Sequence, residues 1–221
     1  MRMNTKNTQP IDIDRTAVRE VEQFTYLGAT VSQTGGTNKD IRKRLGHART
    51  AYHKLKTIWN SGQIGRKTKT KLFRSNDLSA LIYGSETWII TKGDEKMLDT
   101  FLHKCIRNIL KIYWPEKISN IEARKTVEIE KISTIVKKRR WQWIGHVLRM
   151  DNNRNAKIAL DWTPEGKRRR GRPKETWRRT VEKDRKQLGF DSWAAAKGKV
   201  EDQTKYRGFV HGPILHEENG N

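Results

Sequence analysis

Two stretches of this chain concentrate the residue types that bind polyanions. Residues 165–180 read EGKRRRGRPKETWRRT, and residues 137–143 read KKRRWQW. Adjacent cations repel one another, so runs of this density require counter-charge from outside the chain, and phosphate is the leading source. The candidate contacts in the first-occurring run are Lys137, Lys138, Arg139, Arg140 and Trp141. In the second they are Arg168, Arg169, Arg170, Arg172, Lys174, Arg178 and Arg179. The cations neutralise phosphates, and an exposed indole stacks on a base or sugar. On a helix, Trp141 and Trp143 stand about 200° apart and cannot share one narrow buried stripe. Trp143 is expected in the core and Trp141 partly exposed, while His146 is expected to be buried or hydrogen-bonded.

Within the second run, Arg170-Gly171-Arg172-Pro173 equals the core of an AT-hook. Glycine lets the backbone approach the floor of a minor groove, proline holds the strand extended, and A·T-rich grooves carry an enhanced negative potential. The same four residues also suit a nuclear import signal or plain phosphate contact. Sequence-independent contact is the leading reading of the three.

Other chemistry has thinner support. Asp12 and Asp14 lie two apart and would share one face of a strand, but nothing nearby supplies a third ligand. Two-metal phosphoryl transfer needs carboxylates converging on ions about 4 Å apart, and the chain contains no Asp-Asp pair. A single cysteine, Cys105, excludes an internal disulfide and a cysteine-rich zinc site. His103 lies two residues from it on an expected helix and so points elsewhere. No catalytic residue and no metal ligand is assigned.

Charge sets the partner class. The 221 residues carry Lys+Arg 47 against Asp+Glu 25, a net charge of +22. Such a field gathers phosphate-bearing partners, so RNA, DNA or an RNA–DNA hybrid is expected. A membrane partner is not, because no apolar stretch approaches the roughly 20 residues needed to span a bilayer. The opening MRMNTKNTQP lacks the apolar stretch of a signal peptide, and a nuclear or cytoplasmic location follows.

The elements that must position these residues are mainly α with a small N-terminal β piece, an α+β arrangement. Alternation at Ile11–Ile13 and Val21–Val31 predicts two or three strands. From Asn38 the period becomes helical: Ile41, Leu45, Ala48, Tyr52, Leu55 and Trp59 form one stripe, with Arg42, Lys43, Arg44, Arg49, Lys54 and Lys56 around the rest. A second helix follows the Gly62–Lys71 loop. A third buries Leu98, Phe101, Leu102, Cys105, Ile106 and Ile109, which makes Cys105 a core residue. Ser119 and Glu122 have capping-box spacing. Ile132, Val136, Trp143 and Val147 trace a further helix, Asp151–Pro164 reads as a linker, and short helices are expected near Trp177–Leu188 and Trp193–Val200. The segments are then 1–37 (the β piece), 38–150 (a helical domain), 151–207 (basic linker and short helices) and a disordered tail over 208–221.

The ordered blocks MRMNTKN, EVEQFTYLGATVSQTGGTNKDI, TKTKLFRSNDLSALIYGSETW, LDTFLHKCIRNILKIYWPEKISN, RRWQWIGHVLRM and GKRRRGRPKETWRR resemble the C-terminal part of non-LTR (LINE-type) retrotransposon endonuclease/reverse transcriptase polyproteins. The resemblance covers nearly the whole chain. It implies that 1–37 ends a palm, with Phe24, Tyr26, Leu27 and Gly28 matching the FxYLG block near the primer, and that 38–150 is a thumb followed by a basic tail. It implies a structural role for the Tyr83-Gly84-Ser85-Glu86-Thr87-Trp88 block, Glu86 pairing with a thumb arginine and Trp88 packing inside. It also implies that the metal-binding aspartates lie upstream of Met1. This fragment of an RNA-directed DNA polymerase is therefore not expected to be active alone. No cofactor is expected, Mg²⁺ belonging to a complete parent polymerase, which is itself an implied partner in trans. Two alternatives remain open, a host-adopted DNA- or chromatin-binding module using the GRP run, and a non-functional truncated remnant.

Overall fold

Alternating apolar residues around tight turns give two short antiparallel hairpins at the start of the computed structural model, which describes residues 9–33, 35–162 and 175–211. Strand β1 (Asp12–Ile13) pairs with β2 (Thr16–Ala17), and β3 (Gln23–Tyr26) pairs with β4 (Ala29–Ser32) with Tyr26 opposite Ala29. Leu27 and Gly28 close the second hairpin at φ 47° and 80°, the left-handed pair that a two-residue turn requires. Asp14 and Arg15 do the same in the first, at φ 48° and 64°. Asp14 thus occupies a turn, and the expectation that it shares a strand face with Asp12 is corrected. The other regular elements among the described residues are all helices, so the molecule is mainly α with a small N-terminal β part.

The chain divides into two compact units, Met1–Gly84 with Trp88–Ile118, and Ser85–Thr87 with Ser119–Asn221. The division at Ile118/Ser119 falls inside the segment 38–150 that the sequence reads as one piece.

In the first unit, α1 (Asn38–Lys54) buries Ile41, Leu45, Ala48 and Tyr52, the stripe its period dictates. The stripe does not continue unbroken to Trp59. The helix stops at Leu55 and restarts as α2 (Lys56–Asn60), where the Trp59 indole N–H donates to the Tyr52 carbonyl at 2.7 Å and the two rings stack at 4.9 Å. Helix α3 (Arg66–Leu72) begins within the expected loop and runs through a π-helical turn at Phe73–Leu78 into α4 (Ser79–Leu81). Helix α5 (Lys92–Leu110) starts at a capping box between Thr91 and Asp94 and buries the six-residue stripe from Leu98 to Ile109. Cys105 is in that core, and burial pushes its thiol pKa up, which makes it inert.

The π-helical turn carries Asp77 into the same core. It is fully buried, neither carboxylate oxygen has a hydrogen-bond partner, and burial raises its pKa to about 6. A folded-state pKa above the unfolded value means the native state binds the extra proton between pH 4 and 6, so stability falls as pH rises through that window. The loss from this one group should be about 2 to 3 kcal/mol. Asp77→Asn should therefore unfold at a higher temperature than wild type at pH 7, and the gain should vanish near pH 4. Equal destabilisation by Asp77→Asn at both pH values would contradict this.

In the second unit, Ser119 Oγ accepts from the Glu122 N–H at 3.1 Å and caps α6 (Asn120–Val127), as the spacing predicts. Next come α7 (Ile132–Leu148), α8 (Asn155–Asp161), α9 (Trp177–Gln187), α10 (Trp193–Glu201) and α11 (Gln203–His211). Two elements differ from expectation. Helix α8 occupies the supposed linker, and α11 runs through the position where the tail was to begin. It does so because Tyr206 and Val210, one helical turn apart, both enter the core with Trp141, Ile144, Val181 and Phe190. Gly145 permits the approach: a Cβ there would lie 2.2 Å from the Tyr206 ring, whose hydroxyl donates to the Trp141 carbonyl at 2.7 Å.

Candidate nucleic-acid interface

Helix α7 carries the run Lys137 to Trp141, and its cations are held by the protein's own acceptors. Arg140 Nη1 meets Asp184 Oδ2 of α9 at 2.5 Å, with both side chains buried. Lys138 Nζ pairs with Glu130 Oε1 at 2.5 Å, and Lys137 Nζ lies 3.5 Å from Gln187 Oε1. Arg139 is half-buried. Trp141 is only 1% exposed, stacked between Phe190 at 5.5 Å and Trp193 at 6.1 Å. Trp143 is the half-buried indole, edge-on to Trp177 at 5.8 Å. The expected order of the two tryptophans is thus reversed, because Phe190 and Trp193 arrive on the Trp141 side. His146, expected inside or hydrogen-bonded, is exposed.

The second run divides. Arg168, Arg169, Arg170, Arg172 and Lys174 lie outside the described residues. Thr176 caps α9, its hydroxyl accepting from the Arg179 N–H at 3.3 Å. Arg178 and Arg179 are exposed, and Arg178 Nη2 donates to the Leu160 and Trp162 carbonyls at 2.7 and 3.1 Å, which holds it at the end of α8.

Phe24, Tyr26 and Leu27 stand out on the β3–β4 hairpin, Leu27 being 78% exposed at the turn. The Gly28 carbonyl accepts from Arg44 Nη2 at 2.8 Å, while Arg44 Nε donates to Asp40 Oδ2 at 2.9 Å. Asp40 also accepts from the Thr30 N–H at 2.8 Å and from the Trp88 indole N–H at 3.0 Å. One buried carboxylate therefore joins the hairpin, α1 and Trp88. Trp88 packs inside, and Gly84 takes φ 69° where the helical segment ends. Glu86 offers its main-chain carbonyl to the Trp177 indole at 2.9 Å.

A cationic surface of the first unit lies where no contact residue is assigned. From Asn38 to Asn76, Lys and Arg outnumber acidic residues twelve to one, and the one acid, Asp40, is buried and engaged. Lys39, Arg42, Lys43, Arg49, Lys54, Lys56, Arg66, Lys67 and Lys71 are exposed on α1, α2 and α3. Arg44 is half-buried on Asp40, and Lys69 is buried outright. Its ammonium is buried on the Trp59 and Ser61 carbonyls at 2.9 and 2.6 Å, and burial together with nearby Lys111 lowers its pKa. The signal for this surface was in the sequence, as the absence of acids across nearly forty residues rather than as a run of cations. Among the described residues, no group of histidine, cysteine and acidic side chains is arranged to hold a metal, and no helix is long and apolar enough to cross a membrane.

Comparison with known proteins gives a partial placement. Residues 51–83, from the end of α1 to just past α4, match a family model described as a domain of unknown function (DUF6451). The chain is 26% identical over 174 residues to an uncharacterised transposon-derived protein of Caenorhabditis elegans, an alignment covering 76% of this chain and 62% of that protein. No solved structure matches. The chain is thus similar to a transposon-derived protein, and it spans somewhat less than two thirds of that relative's length.

Proposed function

We propose that this chain is the thumb and basic C-terminal part of a LINE-type RNA-directed DNA polymerase, and that it binds RNA, DNA or their hybrid without sequence preference. The observation that carries the binding is the twelve-to-one excess of cations over acids from Asn38 to Asn76, with nine of the cations exposed on α1–α3. The ordered sequence blocks and the transposon-derived relative support the origin. Fixed cations without counter-charge gain free energy by releasing counterions from phosphates, and that gain is indifferent to base sequence. In this reading the paired carboxylates of polymerisation belong to a different part of the parent protein, and the fragment grips rather than extends.

The test is binding of the full chain to an RNA–DNA hybrid across a salt series. The log of affinity should fall with the log of salt at about 0.9 per phosphate contacted. Replacing Arg168, Arg169, Arg170 and Arg172 together with alanine should flatten that slope by roughly two to four units, with helicity unchanged. Affinity indifferent to salt would contradict the reading. Arg170→Ala alone should weaken A·T-rich and G·C-rich duplexes alike; selective loss on A·T-rich sites would indicate minor-groove recognition instead.

A further inference from the structure

We propose that Tyr113 and Trp114, in the turn that follows α5, form a stacking platform for the unpaired bases of single-stranded nucleic acid. The inference rests on the nucleic-acid reading above and assigns it a specific site. Trp114 is 93% exposed, the most exposed large apolar side chain among the described residues, and Tyr113 beside it is 54% exposed.

The turn is built to keep them there. Helix α5 ends with Lys111 at φ 61°, where the Ile112 N–H donates to the Arg107 carbonyl at 2.9 Å and the Ile112 side chain is buried beneath. The Glu116 N–H then donates to the Tyr113 carbonyl at 2.8 Å and closes a turn across Trp114. Arg107 Nη1 donates to the Ile118 carbonyl at 2.7 Å and ties down the far end. Both ends of the segment are therefore anchored, and the rings between them are held in water. An indole has on the order of 200 Å² of surface to bury, and a fixed ring loses little conformational freedom when a base covers it.

Charge selects the occupant. From residue 104 to 117 the exposed charged residues are Lys104, Lys111, Lys117 and the single acid Glu116, so phosphates flanking a stacked base find counter-charge. A second copy of this chain would bring its own +22 and be repelled. A bilayer would need a broader apolar face than one pair of rings. Duplex bases are already stacked on their neighbours, whereas single-strand bases offer a free face to an aromatic ring.

The experiment compares wild type, Trp114→Ala and Trp114→Phe by fluorescence anisotropy on a labelled oligouridylate and on a blunt duplex. Trp114→Ala should weaken the oligouridylate by roughly 5- to 100-fold, the loss of one stacked base, and leave the duplex unchanged. Trp114→Phe should restore most of the affinity. The salt slope should be the same in all three, because stacking releases no counterions, and the thermal unfolding of the alanine variant should match wild type. Unchanged oligouridylate binding in Trp114→Ala, or equal loss on duplex, would overturn the platform while leaving the general binding reading standing. Wild-type binding to neither probe would overturn both. A loss confined to anionic vesicle binding or to self-association would assign the rings to another partner and overturn this one.

Discussion

Asp184→Leu should destabilise the second unit by about 3 to 5 kcal/mol, because it leaves the buried Arg140 guanidinium without its carboxylate. An isolated charge in a low-dielectric interior is far more costly than a well-packed apolar pair. The double change Arg140→Met with Asp184→Leu should accordingly recover most of the loss, and wild-type stability or better is within reach. Chemical denaturation of the three proteins checks this, read as midpoint shifts at constant slope. If Asp184→Leu costs no more than a surface change, Arg140 must reach water and the run at 137–140 would be available to phosphates after all. The two outcomes therefore also decide whether α7 is framework or interface.

Helix α5 was legible because its apolar residues fall on one continuous stripe and its polar residues elsewhere, so local period alone assigned Cys105 to the core. The Ser119 cap was legible for a similar reason: capping is a contact over three residues, and the residue types are specific to it. Helix α7 was not. Apolar residues surround it at Ile132, Val136, Trp141, Trp143, Ile144 and Val147, so the period leaves its buried side undecided. What decides is Asp184, 44 residues away, together with Phe190 and Trp193, and no local pattern encodes those contacts. Helix α11 left a readable trace, Tyr206 and Val210 at i and i+4, but its apolar residues gain a core only because Gly145 opens space on α7. The π-helical turn at Phe73–Leu78, which sends Asp77 inward, adds one residue to a helical ladder and changes no residue type that a period would detect. The candidate interface was partly legible. Dense runs drew the eye to 137–140, where the cations meet internal acceptors, whereas the surface on α1–α3 is defined by missing acids.

Neutralising Arg42, Arg49, Lys67 and Lys71 with glutamine removes exposed charge from α1 and α3 and touches no buried contact, so the fold should persist. If those side chains neutralise phosphates, hybrid affinity should fall steeply at low salt and the salt slope should flatten by roughly two to four units. Lys137→Gln with Arg139→Gln, on the helix whose neighbouring cations are internally engaged, should change the slope by less than about one unit. The most direct measurement is thus the salt dependence of RNA–DNA hybrid binding for wild type and these two variants. A slope flattened in the α1–α3 variant and kept in the α7 variant is the predicted result, and a slope kept in the first and flattened in the second would contradict it.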